Sequence, residues 1–289
     1  AFCNSPDQTT LYNDQTDSNF FRKKSINLVY QELKYFKEKY GIEYNYFWAD
    51  TFLSWNNQEF DEFCEMYSEI KLPFWMQTRP ETLTDYKIKR LAEVGLHRIS
   101  FGIEHGNEAF RKKLLKRDWK NGPIIEALKI PVKYGIAFSV NNITGFPTET
   151  RDLAMHTVEL NRHIESQNQN LYSFVPFHGT PLRKKCEELG LVEPGTITKA
   201  LTDKPMLVQE KYTPEEIEGL QKCFVFYVKM PKSRWKDIQK AEKNTPEGNK
   251  IFAELKEEYA ENYLPPIEAS SKNDSHNTAD LEYGIEHAG

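Results

Sequence analysis

The sequence is poor in the features that most often betray a function. Its four cysteines, Cys3, Cys64, Cys186 and Cys223, are scattered over 289 residues, so no close pair marks a zinc site and no dense framework marks disulfides. No apolar run approaches the roughly 18 residues of a membrane span, and no charged-then-apolar leader opens the chain. The charge surplus is small, with 38 Lys and Arg against 43 Asp and Glu, a net −5. That balance excludes the strong basic field of a protein built on nucleic acid or on an anionic membrane. HExxH, P-loop, GxSxG and GxGxxG patterns are missing, which argues against the common zinc-protease, NTPase, serine-hydrolase and dinucleotide-binding chemistries. These absences imply a soluble, cytoplasmic protein, although a chain whose first residue is Ala rather than Met has been processed or belongs to a longer one.

What is present folds. Hydrophobic residues make up 39 % and aromatics 13 %, which excludes a wholly disordered chain, and the length suits one α/β barrel or two domains. Short apolar segments rich in aromatic and β-branched residues predict strands over 44–49, 72–78, 98–103, 136–144 and 171–177. Amphipathic stretches predict helices over 25–39, 58–70, 84–94, 107–115, 124–134 and 150–166. Strand-then-helix alternation is the pattern of a parallel sheet or barrel. The leading helix needs a strand before it, and residues 1–24 contain none, so that strand is expected upstream of residue 1. After about residue 190 the pattern becomes helical only, over 213–229 with a capping-box opening and over 249–262. Residues 265–289 turn polar and are expected to be a disordered tail.

In a parallel α/β barrel the active site forms at the C-terminal ends of the strands. The polar residues there are Asp50 and Thr51, Arg79, Glu104 with His105 and Asn107, Asn141 and Asn142 with Gly145, and His178, Gly179 and Thr180. The turns at 145–149 (GFPTE) and 179–181 (GTP) bring backbone close to a ligand, and the mixed charge suits a polar, zwitterionic small molecule. Each residue also has a structural reading. Asp50 and Asn107 fit helix caps, Arg79 and Glu104 fit an ion pair at the rim, and His105 and His178 fit surface loops. Lys112, Lys113, Lys116 and Arg117 fit a solvated helix end facing the helix dipole. Cys64, Cys186 and Cys223 lie in helical patterns as small apolar groups, whereas Cys3 lies outside any periodic segment.

The succession AFCNSP, FFRKKS, FWADTFLSW, MQTRPETL, RISFGIEHGNE, NNITGFPTET and SFVPFHGTPL resembles the radical S-adenosylmethionine (SAM) superfamily. It looks most like the iron-sulfur oxidoreductases of that superfamily that carry a cobalamin-binding domain ahead of the core. The resemblance runs from residue 1 to about residue 190. It implies an α/β fold, a partial (β/α)6 TIM-like barrel lacking its first strand, with residues 1–190 as the radical SAM core, 191–264 as a helical C-terminal extension and 265–289 as the tail. In that family a C-x3-C-x2-C loop holds a 4Fe-4S cluster through three thiolates, and the fourth iron takes the amino and carboxylate groups of SAM. Cys3, preceded by Phe2, fits the third cysteine, and the other two are expected before residue 1.

Residue by residue, the resemblance implies Asp50 near the SAM amino group, where Ala49, Asp50 and Thr51 replace the usual Gly-Gly-Glu. It implies Arg79 near the SAM carboxylate and Glu104 at the ribose. Asn142 and Gly145 fall in the motif beside the adenosyl group, and Val175, Pro176 and Phe177 in the segment whose backbone meets adenine. The implied chemistry is one-electron reduction of SAM to methionine and a 5'-deoxyadenosyl radical that abstracts hydrogen from a substrate. The implied cofactors are the cluster, SAM and, through an N-terminal domain, cobalamin. The implied partners are a small-molecule substrate and an electron donor such as flavodoxin or ferredoxin, with neither nucleic acid nor membrane expected. Two other readings stay open: a redox-free barrel hydrolase or lyase using Glu104 with His105 or His178 as acid and base, and a non-catalytic barrel that has lost its cluster.

Overall fold

The computed structural model describes residues 1–16, 20, 22–200 and 204–264; the expected tail lies outside them. The five predicted strands are all present, as β1 (Asn45–Phe47), β2 (Phe74–Thr78), β3 (Leu96–Glu104), β4 (Ala137–Thr144) and β5 (Asn168–Ser173), and they form one sheet in that order. Every neighbouring pair is parallel, which obliges the chain to return by a crossover each time.

The returns are helical. After α1 (Ser5–Gln15) and α2 (Ile26–Tyr40), the crossovers are α3 (Asn57–Ile70), α4 (Asp85–Val94), the short α5 (Glu108–Phe110) with α6 (Asn121–Lys133), and α7 (Arg151–Asn161). Ser25, Asn56, Thr84 and Thr150 begin four of these helices by accepting a backbone N–H three residues on, satisfying a donor that the helix leaves orphaned. Beyond β5 come α8 (Pro181–Glu188), α9 (Pro214–Lys229), α10 (Trp235–Ala241) and α11 (Pro246–Asn262).

The two faces of the sheet differ in chemistry. Phe74, Met76, Ile99, Phe101, Phe138 and Val140 are fully buried against Phe60, Phe63 and Tyr67 of α3 and Ile88 and Leu91 of α4, and burying such side chains contributes about 1.5–3 kcal/mol each. The opposite face carries a hydrogen-bonded row: Ser100 Oγ lies 2.8 Å from Ser139 Oγ, Asn141 Nδ2 donates to Ser100 Oγ at 3.1 Å, and Asn170 Nδ2 donates to Asn141 Oδ1 at 2.9 Å. Further along that face Tyr46 stacks on Trp75 with ring centroids 3.7 Å apart. A sheet with helices packed on its apolar face and a polar, aromatic inner face is a barrel wall.

The extension builds a second hydrophobic cluster on α7. Ala154 and Val158 of α7 pack with Ile217, Leu220, Phe224 and Tyr227 of α9. Arg162 donates to the carbonyls of Tyr227, Val228 and Met230 at 2.6, 3.0 and 2.8 Å, closing the end of α9.

Several boundaries depart from the sequence expectation. Helix α1 lies where no element was expected, because it buries no residue and so shows no apolar period. The strand expected over 171–177 ends at Ser173, since Gln169 and Asn170 begin it with side chains used structurally: Gln169 Nε2 donates to Asn161 O at 3.0 Å. The helix expected over 107–115 is α5 followed by a π-turn, Arg111–Leu115, a distortion often found at functional sites. Among the described residues no helix is long and apolar enough to cross a membrane.

Candidate active site at the mouth of the barrel wall

At the C-terminal end of β3 the register with β4 slips between Gly102 and Glu104, and Glu104 adopts φ +72°, a left-handed conformation that costs a non-glycine residue free energy. The bulge re-aims its side chain. Glu104 is buried, with Oε1 3.2 Å from Arg117 Nη1, and the same nitrogen donates to Gly102 O at 3.2 Å. A Cβ on Gly102 would stand 2.5 Å from Glu104 Oε1, so the missing side chain is the seat of the carboxylate. Burial pushes the Glu104 carboxyl above its ordinary value, while Arg117 and the more distant Arg79 pull it back. A buried carboxylate with one cationic partner keeps lone pairs free to accept hydroxyl protons from a ligand.

Arg117 was expected in a solvated basic run. Instead Lys116 takes φ +59° and turns the chain so that Arg117 reaches back into the mouth, while Lys112 stays outside and pairs with Asp118 at 2.7 Å. The expected Arg79–Glu104 ion pair is likewise replaced: Arg79 Nε donates to Glu81 Oε1 at 2.6 Å and Arg117 takes Glu104. A cavity of about 170 Å³ opens between them, lined by Arg79, Glu81, Gly102, Arg111 and Arg117. Arg111, buried, donates to His105 O at 2.6 Å and to Asn121 Oδ1 at 2.9 Å, and so ties the loop after β3 together.

The first residues of the chain dock onto this mouth. Ala1 O accepts Leu182 N–H at 3.2 Å. The Phe2 ring meets Phe146 edge-on at 6.4 Å, with the guanidinium of Arg117 5.6 Å from its centroid. Cys3 is exposed and its Sγ lies 3.5 Å from Ser5 Oγ, which in turn donates to Asp50 Oδ2 at 3.3 Å. Asp50 therefore faces the Cys3 segment, while Asn107 fulfils the cap reading by accepting Phe110 N–H at 2.9 Å.

The predicted residues of β4 and β5 divide. Asn142 turns away from the inner face: it exchanges hydrogen bonds with Asn161 at 3.0 and 3.2 Å and donates to Asn170 O at 3.0 Å, fully buried in the helix layer. Alternation along a strand makes its neighbour Asn141 the inward residue. Gly145 has φ +80°, and a Cβ there would stand 2.9 Å from Ile217 Cδ1, so its close approach is to α9. Val175, Pro176 and Phe177 follow β5, and Val175 and Pro176 are buried. Pro176 O accepts Arg183 Nη1 at 3.4 Å. His178 is exposed.

His105 is the residue whose place the sequence hid. Expected in a surface loop, it is fully buried and bonded to Glu149, with Nε2 3.0 Å from Oε1. Its ring is enclosed by Phe110, Phe146 and Glu149 while Glu104 is held by Arg117, so the two consecutive residues have separate partners. The signal was Gly106: a Cβ there would fall 2.1 Å from His156 O, so this loop presses against α7 and its side chains are enclosed.

For a cluster, the donor set is one thiolate. Among the described residues no group of three or more His, Cys, Asp or Glu is placed to hold a metal ion, whereas iron-sulfur irons take several thiolates. The exposed Cys3 thiol at the mouth fits one ligand of such a set and no more. The remaining groups, an acceptor carboxylate, cations and an amide-lined wall, fit a zwitterionic nucleoside.

The structure is thus a parallel barrel wall with polar groups and a thiol gathered at the C-terminal ends of its strands, the end where barrels of this class build their sites. Residues 1–160 match the radical SAM superfamily, and the chain belongs to that superfamily. It is 25 % identical over 220 residues to an uncharacterized methyltransferase of Pyrococcus horikoshii, covering 75 % of this chain and 48 % of that protein. It is 31 % identical over 112 residues to the tRNA-2-methylthio-N(6)-dimethylallyladenosine synthase of Halalkalibacterium halodurans, covering 37 % of this chain and 20 % of that one. The cobalamin-dependent S-adenosylmethionine radical enzyme OxsB, solved with aqua-cobalamin and S-adenosylmethionine bound, shares the fold with a TM-score of 0.55 at 13 % identity, over 92 % of this chain and 46 % of that one. The chain thus spans less than half the length of these relatives.

Proposed function

We propose that this mouth binds a 4Fe-4S cluster and SAM, with Cys3 as one thiolate ligand and Glu104 as the acceptor for the ribose hydroxyls. The observation that carries the reading is the convergence on Arg117, which holds the Glu104 carboxylate on one side and the ring preceding Cys3 on the other. When bound, the cluster and SAM supply one-electron cleavage to methionine and a 5'-deoxyadenosyl radical that takes hydrogen from a small-molecule substrate, the hard chemistry being the cofactors' own. The chain's residues bind and orient. Glu104 accepts from the ribose, Asp50 faces the amino group beside the Cys3 segment, and Arg79 offers a cation to the carboxylate. Residues 175–177 supply backbone at the adenosyl end, with Asn141 taking the inward place that Asn142 leaves and Gly145 letting the turn after β4 pack on α9. The ring cluster of Phe2, Phe110, Phe146 and Phe174 excludes water behind them.

Cobalamin belongs to the same reading. The methyltransferase name of the P. horikoshii relative supports a transferase branch, OxsB is a cobalamin-dependent enzyme that shares the fold, and the electrons would come from a donor such as flavodoxin or ferredoxin.

The test is anaerobic reconstitution of the natural polypeptide containing these residues with iron and sulfide. A reduced 4Fe-4S signal by electron paramagnetic resonance and release of methionine and 5'-deoxyadenosine are expected. Cys3→Ala should lose the cluster, and Glu104→Gln should keep it while binding SAM more weakly. A wild-type protein that takes up no cluster, or cleaves no SAM once loaded, sinks the reading.

A further inference from the structure

Glu104 and His105 are consecutive, yet His105 enters a closed compartment behind the mouth. Its ring is fixed at both nitrogens. Asn107 N–H donates to Nδ1 at 3.0 Å, which makes Nδ1 the acceptor and assigns the proton to Nε2, donated to Glu149 Oε1 at 3.0 Å. Glu149, also buried, accepts Phe146 N–H on its other oxygen at 2.9 Å. The Thr144 hydroxyl lies 3.4 Å from Glu149 Oε1 and 3.0 Å from the Tyr212 hydroxyl.

From the outer side Gln209 donates to Phe146 O at 3.0 Å and accepts Thr148 N–H at 2.7 Å. Turn 145–149 is thereby pinned on both sides, and Phe146 is fully buried within it. Phe146 is the ring against which Phe2 rests, one residue before Cys3.

We propose that the buried His105–Glu149 pair is a positioning device for the Cys3 segment: it sets turn 145–149 and, through Phe146, fixes where Phe2 docks and so where the Cys3 thiol stands at the mouth. An apolar pair of the same volume would fill the compartment, but it would leave the Phe146 N–H unpaired and the turn without a directional anchor. The functional meaning of this placement rests on the reading of Cys3 as a cluster ligand; the docking itself does not.

The readout is amide hydrogen exchange at Leu182, whose N–H is held by Ala1 O at 3.2 Å and which therefore reports docking of the segment with no cofactor present. His105→Leu should speed exchange at Leu182 about tenfold, the scale of one lost charge-assisted bond, with amides inside α9 unchanged. His105→Gln, which restores a donor toward Glu149, should return it to within about twofold of wild type. If His105→Leu lacks a cooperative melt, Glu149→Gln, of equal size without the charge, carries the same expectation. Unchanged exchange at Leu182 in a folded variant overturns the proposal and leaves the Cys3 reading intact. Iron loading of Cys3→Ala equal to wild type overturns that reading and leaves the docking result standing.

Discussion

Glu104 and Arg117 meet at 3.2 Å in a buried setting, and the cation does not fully offset the burial. The Glu104 carboxyl titrates above its ordinary value near 4.5 in the folded protein, so the fold holds this proton more tightly than the unfolded chain does. Below the ordinary value both states are protonated and Glu104 adds no pH dependence. As pH rises from there through the folded value, the unfolded chain ionises first and stability falls, remaining lower above. Glu104→Gln removes that slope. Urea unfolding across this window should show the variant gaining on wild type as pH rises, and a gain that shrinks would contradict the burial argument.

Thiol chemistry should separate the cysteines cleanly. Burial pushes the thiols of Cys64 and Cys223 up to about 12 and that of Cys186 up to about 11, so none ionises near neutrality, whereas Cys3 is exposed and the thiolate is the reacting form. Alkylation of the folded protein at pH 8 is expected to label Cys3 alone, and guanidinium should release the other three. Rapid native labelling at any buried position would show that its helix opens more readily than the packing implies.

The contact between the loop after β3 and α7 leaves no room for a methyl group. A Cβ at position 106 meets His156 O at 2.1 Å and Thr157 Cα at 2.6 Å, both backbone. Gly106→Ala should cost about 3 kcal/mol or more, because neither partner is a flexible side-chain end. Denaturant melts check this, and a change below about 0.5 kcal/mol would mean that α7 yields freely.

Arg162 closes the end of α9 through three carbonyls that the helix cannot satisfy itself. Arg162→Leu is expected to cost about 2–3 kcal/mol and to loosen the extension before the sheet. Limited proteolysis should then cut within 230–264 earlier than in wild type, and simultaneous loss of both regions would show them to be one cooperative unit.

The strands were legible because Phe, Trp, Ile and Val must be buried wherever they lie, and that demand imprints a pattern on residues 74–78, 98–103 and 137–144. Helix α1 was illegible for the converse reason: with no buried residue, SPDQTTLYNDQ carries no period to read. At the site, Glu104 and Cys3 could be singled out from their motifs, but the partners could not. Arg117 looked like one more lysine-rich surface residue until the left-handed turn at Lys116 reversed the chain. Asn142 and Asn141 are the same residue type, and only strand register decides which one faces inward. His105 and Glu149 are 44 positions apart, and their pairing depends on a loop pressed against a helix.

Position 102 has a separate meaning for anyone wishing to manipulate the molecule. Among the described residues the nearest atoms to a methyl group there are side-chain atoms, Glu104 Oε1 at 2.5 Å and Arg117 Nη1 at 3.9 Å. Gly102→Ala would therefore push the Glu104 carboxylate off its seat beside Arg117. The bare α-carbon of Gly102 is therefore what lets the Glu104–Arg117 pair sit at the mouth, and one added carbon would set that pair against the strand that carries it.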